Sequence, residues 1–193
     1  MTPILVVPGL GGSDDQHWQT HLERAFPSAA RVHQEDWDRP DLEKWLARLA
    51  DAIKARPGAV LVAHSLGCPL VAHLAAWQSD LPVAAALLVA PADVESRRHT
   101  PDHIRCFAPI PRLPLPFPSI VVASTNDPFM EFARARELAH LWRAEFFDAG
   151  PCGHMNVAAG FGSWPAGESI VESLMASARN SARTCETMRK AVA

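Results

Sequence analysis

The stretch Ala59-Val60-Leu61-Val62-Ala63-His64-Ser65-Leu66-Gly67 decides the fold of this chain. Four apolar residues run into a small residue, a histidine and a serine. A stretch of helical spacing follows (Leu66, Leu70, Val71, Leu74, Ala75). The order is strand, sharp turn, helix, with Ser65 at the apex, and that is the setting of a nucleophile elbow. So tight a turn strains the serine backbone and tolerates only small residues two positions before and after it. Ala63 and Gly67 meet that requirement. The competing reading is a plain helix start with Ser65 as N-cap. The rest of the chain weighs against it.

Outward from the elbow, short aliphatic runs alternate with amphipathic stretches. Strands are predicted at Ile4–Val7, Arg31–Gln34, Val60–Ala63, Ala85–Ala90, Ile120–Ala123 and Glu145–Phe147. Helices are predicted at His17–Phe26, Leu42–Ala55, Leu66–Trp77, Met130–Leu141 and Ala166–Ala178. Alternation of this kind builds βαβ units, a parallel sheet and helices on both faces. Continuous apolar runs suit parallel strands covered on both sides, whereas the polar Arg31–Gln34 reads as an edge. We expect a single α/β domain over residues 1–178, about six strands in the order 2-1-3-4-5-6, and a flexible tail from Arg179 to Ala193. The proline-rich segment Pro91–Pro118 breaks the alternation. Its place after a central strand makes it a candidate wall of the site, with Phe107 and Leu113 facing an acyl group.

Composition narrows the class. At 193 residues with 48% hydrophobic and 20% charged residues, the chain can bury a substantial core. A net charge of −3 argues against nucleic acid as a partner. No apolar run approaches the roughly 20 residues of a membrane span, and none precedes the first motif as a signal would. Cys68, Cys106, Cys152 and Cys185 lack zinc or CxxC spacing, so they read as free thiols of a reducing, cytoplasmic setting. No Asp/Glu/His cluster has metal spacing, and we expect no metal and no cofactor.

A serine hydroxyl needs a base to act as a nucleophile. At such elbows the acid and then the base follow in chain order. Asp127 lies in Ser124-Thr125-Asn126-Asp127-Pro128, just after the strand Ile120–Ala123. His154 lies in the glycine-rich loop after the last strand. Asp148 also ends a strand, but it is the strand of the base itself, so Asp127 is preferred as the acid. Backbone amides for a developing oxyanion are expected from Leu66, after the nucleophile, and from Leu10 in Pro8-Gly9-Leu10-Gly11-Gly12-Ser13. That loop does not fit GxGxxG and lacks a P-loop lysine. Trp18, Trp37 and Trp164 read first as packing residues. His17, Phe107 and Trp164 are the candidates for substrate contact. His64 is expected to face away from Ser65 into supporting packing, and Asn156 to hold the His154 loop.

With these stretches in place, the chain resembles the small α/β serine hydrolases that include the retinoblastoma-binding serine hydrolase and its bacterial relatives. The match runs through Val7-Pro8-Gly9-Leu10-Gly11-Gly12, His17-Trp18, Asp36-Trp37, the elbow, Ser124–Pro128, and Gly153-His154-Met155-Asn156 on to Gly162-Ser163-Trp164-Pro165. The resemblance implies a capless α/β-hydrolase fold with Ser65, Asp127 and His154 as triad. It does not extend to the retinoblastoma partner, because Leu66-Gly67-Cys68-Pro69-Leu70 lacks the glutamate of an L-x-C-x-E motif. The expected activity is hydrolysis of a small ester or related acyl bond through an acyl-serine. Acyl transfer by the same triad, or a binding scaffold with weak catalysis, are the alternatives.

Overall fold

The strands pair as their apolar faces require. A computed structural model describes the backbone of residues 1–192 and the side chains of residues 1–180 and Thr184. It contains a six-stranded parallel sheet in the order β2-β1-β3-β4-β5-β6, with β1 at Ile4–Val7, β2 at Ala29–Arg31, β3 at Ala59–His64, β4 at Val83–Val89, β5 at Ser119–Ala123 and β6 at Glu145–Asp148. The helices are α1 (Trp18–Ala25), α2 (Leu42–Ala55), α3 (Gly67–Trp77), α4 (Phe132–Trp142) and α5 (Pro165–Val192). Successive strand residues point to opposite faces. Leu5, Val7, Leu61, Ala63, Ala86 and Leu88 therefore pack under α2, α3 and α4. Ile4, Val6, Val60, Val62, Leu87 and Val89 pack on the other face, under α1 and α5. With both faces covered, β1 and β3 are buried along their whole length.

Most element ends shift by one or two residues from the sequence reading, and two shift further. The edge strand β2 pairs with β1 over Ala29–Arg31, not Arg31–Gln34. One further bond runs from the Val32 amide to the Val6 carbonyl (2.8 Å), and β1 then meets Pro8, which has no N–H to extend a ladder. Helix α5 continues past Ala178 to Val192, through a stretch free of glycine and proline; Ala193 lies outside the described residues. The proline-rich segment after β4 has local structure of its own. It contains a 3₁₀ turn at Asp102–Phe107 and is tied down by the Ile110 amide on Glu95 (3.0 Å) and the Trp142 indole on the Pro111 carbonyl (2.8 Å).

The carboxyl ends of β3, β5 and β6 lie at one edge of this sheet, so the loops carrying Ser65, Asp127 and His154 converge there. Among the described residues no helix is long and apolar enough to cross a membrane.

Candidate active site

Ser65 adopts φ +54°, the strained left-handed conformation expected of a serine at a sharp strand-to-helix turn. Two glycines make the turn possible by close approach. A Cβ on Gly67 would sit 2.3 Å from the Val7 carbonyl oxygen. A Cβ on Gly9 would sit 2.8 Å from the Ser65 Cβ and 2.9 Å from the Leu66 amide nitrogen. The loop after β1 is thus pressed directly against the elbow. Among the described residues the amides of Leu10 and Leu66 have no hydrogen-bond acceptor, and both residues line a cavity of about 470 Å³ in front of Ser65.

The partners of Ser65 come from the two loops beside it. The Ser65 hydroxyl lies 2.8 Å from His154 Nε2. His154 Nδ1 lies 2.9 Å from Asp127 Oδ1 and 3.0 Å from Oδ2. An ionised carboxylate only accepts, so Nδ1 carries the proton and Nε2 is left to accept from the serine. Asp127 is itself fixed by the Phe129 amide, which donates to Oδ1 at 2.8 Å. The Phe129 ring meets the His154 imidazole edge-on at 4.6 Å. His154 is buried, and the backbone turn around it places Gly153 and Met155 at positive φ. Met155, fully buried among the residues under α5, anchors that turn to the core.

A model of the serine hydrolase family matches residues 4–173. The chain belongs to that family. Among solved structures this hydrolase is similar to a YdeN-like hydrolase from Pectobacterium atrosepticum, with 35% identity, a TM-score of 0.79, and coverage of 90% of this chain and 92% of that one. It is also similar in fold to the ydeN gene product of B. subtilis, at 20% identity and TM-score 0.75 over 91% and 100% of the two chains. Est1E from Butyrivibrio proteoclasticus shares the fold at 13% identity, with a TM-score of 0.65 over 91% and 89% of the two chains. No significant match was found among curated proteins.

The hydrolase places the remaining candidates unevenly. Asp148 is exposed and accepts from the Gly150 amide (2.8 Å), within its own turn. Phe107 is not at the cavity. It is fully buried, edge-on to Trp45 at 5.7 Å, and its carbonyl pairs with the His73 ring at 2.7 Å. Leu113 is 62% exposed. The same segment does wall the cavity, but with Thr100, Pro101 and Ile104. Trp164 does not line the cavity; it packs edge-on to Trp18 at 5.1 Å, over Gly167. Trp37 packs on Trp45 and on Gly12, so these tryptophans are packing residues. Asn156 lines the cavity while its side chain accepts from the Ala159 amide (3.1 Å), holding the loop after His154.

His17 and His64 both line the cavity, so His64 does not turn its back on Ser65. Its Nε2 donates to the His154 carbonyl at 2.9 Å, and its ring lies 4.8 Å from His17 and 5.0 Å from His154. Burial keeps both rings neutral: it lowers His17 to about 4 and holds His64 well below the usual histidine range. In the unfolded chain both titrate near 6.5, so between about 6.5 and about 4 the unfolded state binds more protons. Stability is complete above this window and is lost as pH falls through it. At 1.36 kcal/mol per unit, His17 alone accounts for about 3 kcal/mol by pH 4. The urea midpoint is expected to fall from pH 7 to pH 4.5, and less steeply in His17→Asn. A midpoint curve of the same slope in both proteins would contradict this.

Three supporting residues had no role assigned to them from the sequence. Ser124 Oγ donates to Asn126 Oδ1 (2.8 Å), which also accepts the Gly153 amide (2.7 Å), while Ser124 Oγ accepts the Cys152 amide (2.9 Å). The Asp127 loop and the His154 loop are thereby stitched together. Gln19, fully buried, donates to the Val62 carbonyl (3.0 Å) and accepts from Ser13 (2.7 Å), fixing the Leu10 loop to the end of β3. Asn126→Ala should lower kcat by about 10- to 100-fold, since a misplacement near 1 Å costs that much. A wild-type kcat in this variant would show that His154 needs no such stitch. Among the described residues no group of three or more His, Cys, Asp or Glu side chains is arranged to hold a metal ion.

Proposed function

We propose that this serine hydrolase cleaves small carboxylic esters through an acyl-serine, with Ser65 as nucleophile, His154 as general base and acid, and Asp127 as the group that holds the imidazole tautomer. The observation that carries the proposal is the unbroken line from Ser65 Oγ to His154 Nε2 (2.8 Å) and from Nδ1 to Asp127 (2.9 Å), at a cavity edged by two unengaged amides. As Oγ adds to the carbonyl carbon, its proton passes to Nε2. The negative oxygen that develops is met by the Leu10 and Leu66 amides. Collapse breaks the ester C–O bond, and the leaving alcohol takes the proton from Nε2. A water then gives a proton to His154 as its oxygen adds to the acyl carbon, and Ser65 departs with that proton as the acid is released.

The cavity, about 470 Å³, has Ile104, Phe129 and Pro101 among its apolar wall, and among the described residues no helix is inserted as a cap between the strands and the helices that follow them. That favours short acyl chains. The free thiols of Cys68, Cys106 and Cys152 fit work in the reducing cytoplasm, on a small-molecule substrate and without nucleic acid. The test is a series of p-nitrophenyl acetate, butyrate and octanoate, with product acid measured beside p-nitrophenol. We expect acetate to be turned over best and acid to equal p-nitrophenol. An octanoate optimum would refute the small-substrate reading. Acid falling short of p-nitrophenol when an alcohol acceptor is present would favour transfer over hydrolysis.

A further inference from the structure

The ester reading leaves one polar feature of the cavity unused. His17 is 5% exposed and its ring lines the cavity. Its Nδ1 accepts the Gln19 amide at 3.2 Å, capping α1, so the proton of the neutral ring must sit on Nε2. That N–H has no acceptor among the described residues, yet it is not among the sealed, unsatisfied polar atoms of the fold. The cavity that His17 lines is the space beside it. Asp14 lines the same cavity three residues earlier, with one carboxylate oxygen held by the Gln16 amide (2.9 Å). The turn between them is closed by the His17 amide on the Asp14 carbonyl (3.2 Å), and that carbonyl also accepts the Thr20 hydroxyl (2.6 Å). A buried donor and the exposed Asp14 carboxylate therefore border one cavity within a single turn of the chain.

The chemistry of the ligand follows from that pair. An ammonium group would satisfy Asp14 and leave the imidazole N–H unpaired. A carboxylate would satisfy His17 and be repelled by Asp14. A hydroxyl accepts from one and donates to the other. The rings of His17, His64 and His154 form a continuous row, and Trp18 packs on Trp164 of the loop that follows His154, so this wall stands on the His154 side of Ser65. His154 is also the group that must protonate the departing oxygen. We infer that His17 and Asp14 select esters whose alcohol portion carries a free hydroxyl, as in monoesters of diols and other polyols. Burial keeps the His17 ring an uncharged donor at neutral pH.

This inference rests on the ester reading, and the experiment separates the two. The kcat/KM for 2-hydroxyethyl acetate is compared with that for propyl acetate, its near-isostere, in wild type, His17→Asn and Asp14→Ala. Asparagine keeps the helix cap but is too short to reach the cavity. Wild type should favour the hydroxy ester about tenfold, the effect of one or two net hydrogen bonds, and the ratio should fall toward one in both variants. A matched acyl pair, methyl 3-hydroxybutyrate and methyl 3-methylbutyrate, should show no such preference. A ratio near one in wild type, a ratio that survives both variants, or a preference confined to the acyl pair would overturn the assignment while leaving the ester reading intact. Failure to hydrolyse any of the four esters would overturn both.

Discussion

Ser65→Ala is expected to reduce ester turnover to the uncatalysed background while leaving the urea midpoint within about 0.5 kcal/mol of wild type. The hydroxyl makes one side-chain bond, to His154, and contributes nothing to the packed faces of the sheet. Its loss should therefore barely register in stability. The φ of +54° adds no penalty, because alanine in the left-handed region carries a strain like that already present in serine. Catalysis has no substitute, since the elbow presents no second nucleophile to His154 Nε2. An alanine variant with measurable wild-type-like kcat would remove Ser65 from the reaction, whatever the geometry around it.

Asp127→Asn should be nearly as damaging, at about 10⁴-fold in kcat, the loss produced by the equivalent change in a serine protease. The reason is the tautomer. An asparagine amide can donate to Nδ1, which moves the imidazole proton to Nε2 and leaves Ser65 facing a donor. Asp148→Asn is the internal comparison. Asp148 is exposed, and its bond to the Gly150 amide can be kept by an asparagine oxygen, so kcat should change by less than about twofold. A larger loss at Asp148 than at Asp127 would transfer the acid's role to Asp148.

The convergence of Ser65, Asp127 and His154 was legible in the sequence because each follows a strand end. Ile120–Ala123 and Glu145–Phe147 announce themselves as apolar or aromatic β-formers, and whatever follows a parallel strand emerges at one edge of the sheet. Sequence order thus translates into spatial convergence without knowledge of any side-chain direction. The reading fails where direction is the question. Phe107 sits in a loop above the site, but the 3₁₀ turn it ends swings the ring down onto Trp45, and Thr100, Pro101 and Ile104 take the wall instead. His64 shows the same limit. Strand alternation sends it away from Ser65, yet its ring is long enough to reach the His154 carbonyl and still border the cavity. Ser124, Asn126 and Gln19 are invisible for another reason: a short polar side chain in a loop or on a helix looks alike whether it meets water or a buried amide.

An acyl-serine mechanism requires a covalent bond to one atom, Ser65 Oγ. Brief exposure to p-nitrophenyl acetate at low pH, followed by acid quench and peptide mass spectrometry, reports where the acetyl group is held during turnover. Acetylation is expected on the peptide bearing Ser65, assigned to its Oγ and absent from Ser65→Ala. Turnover with no adduct at Ser65, or with the acetyl group on Cys152 instead, would contradict that mechanism.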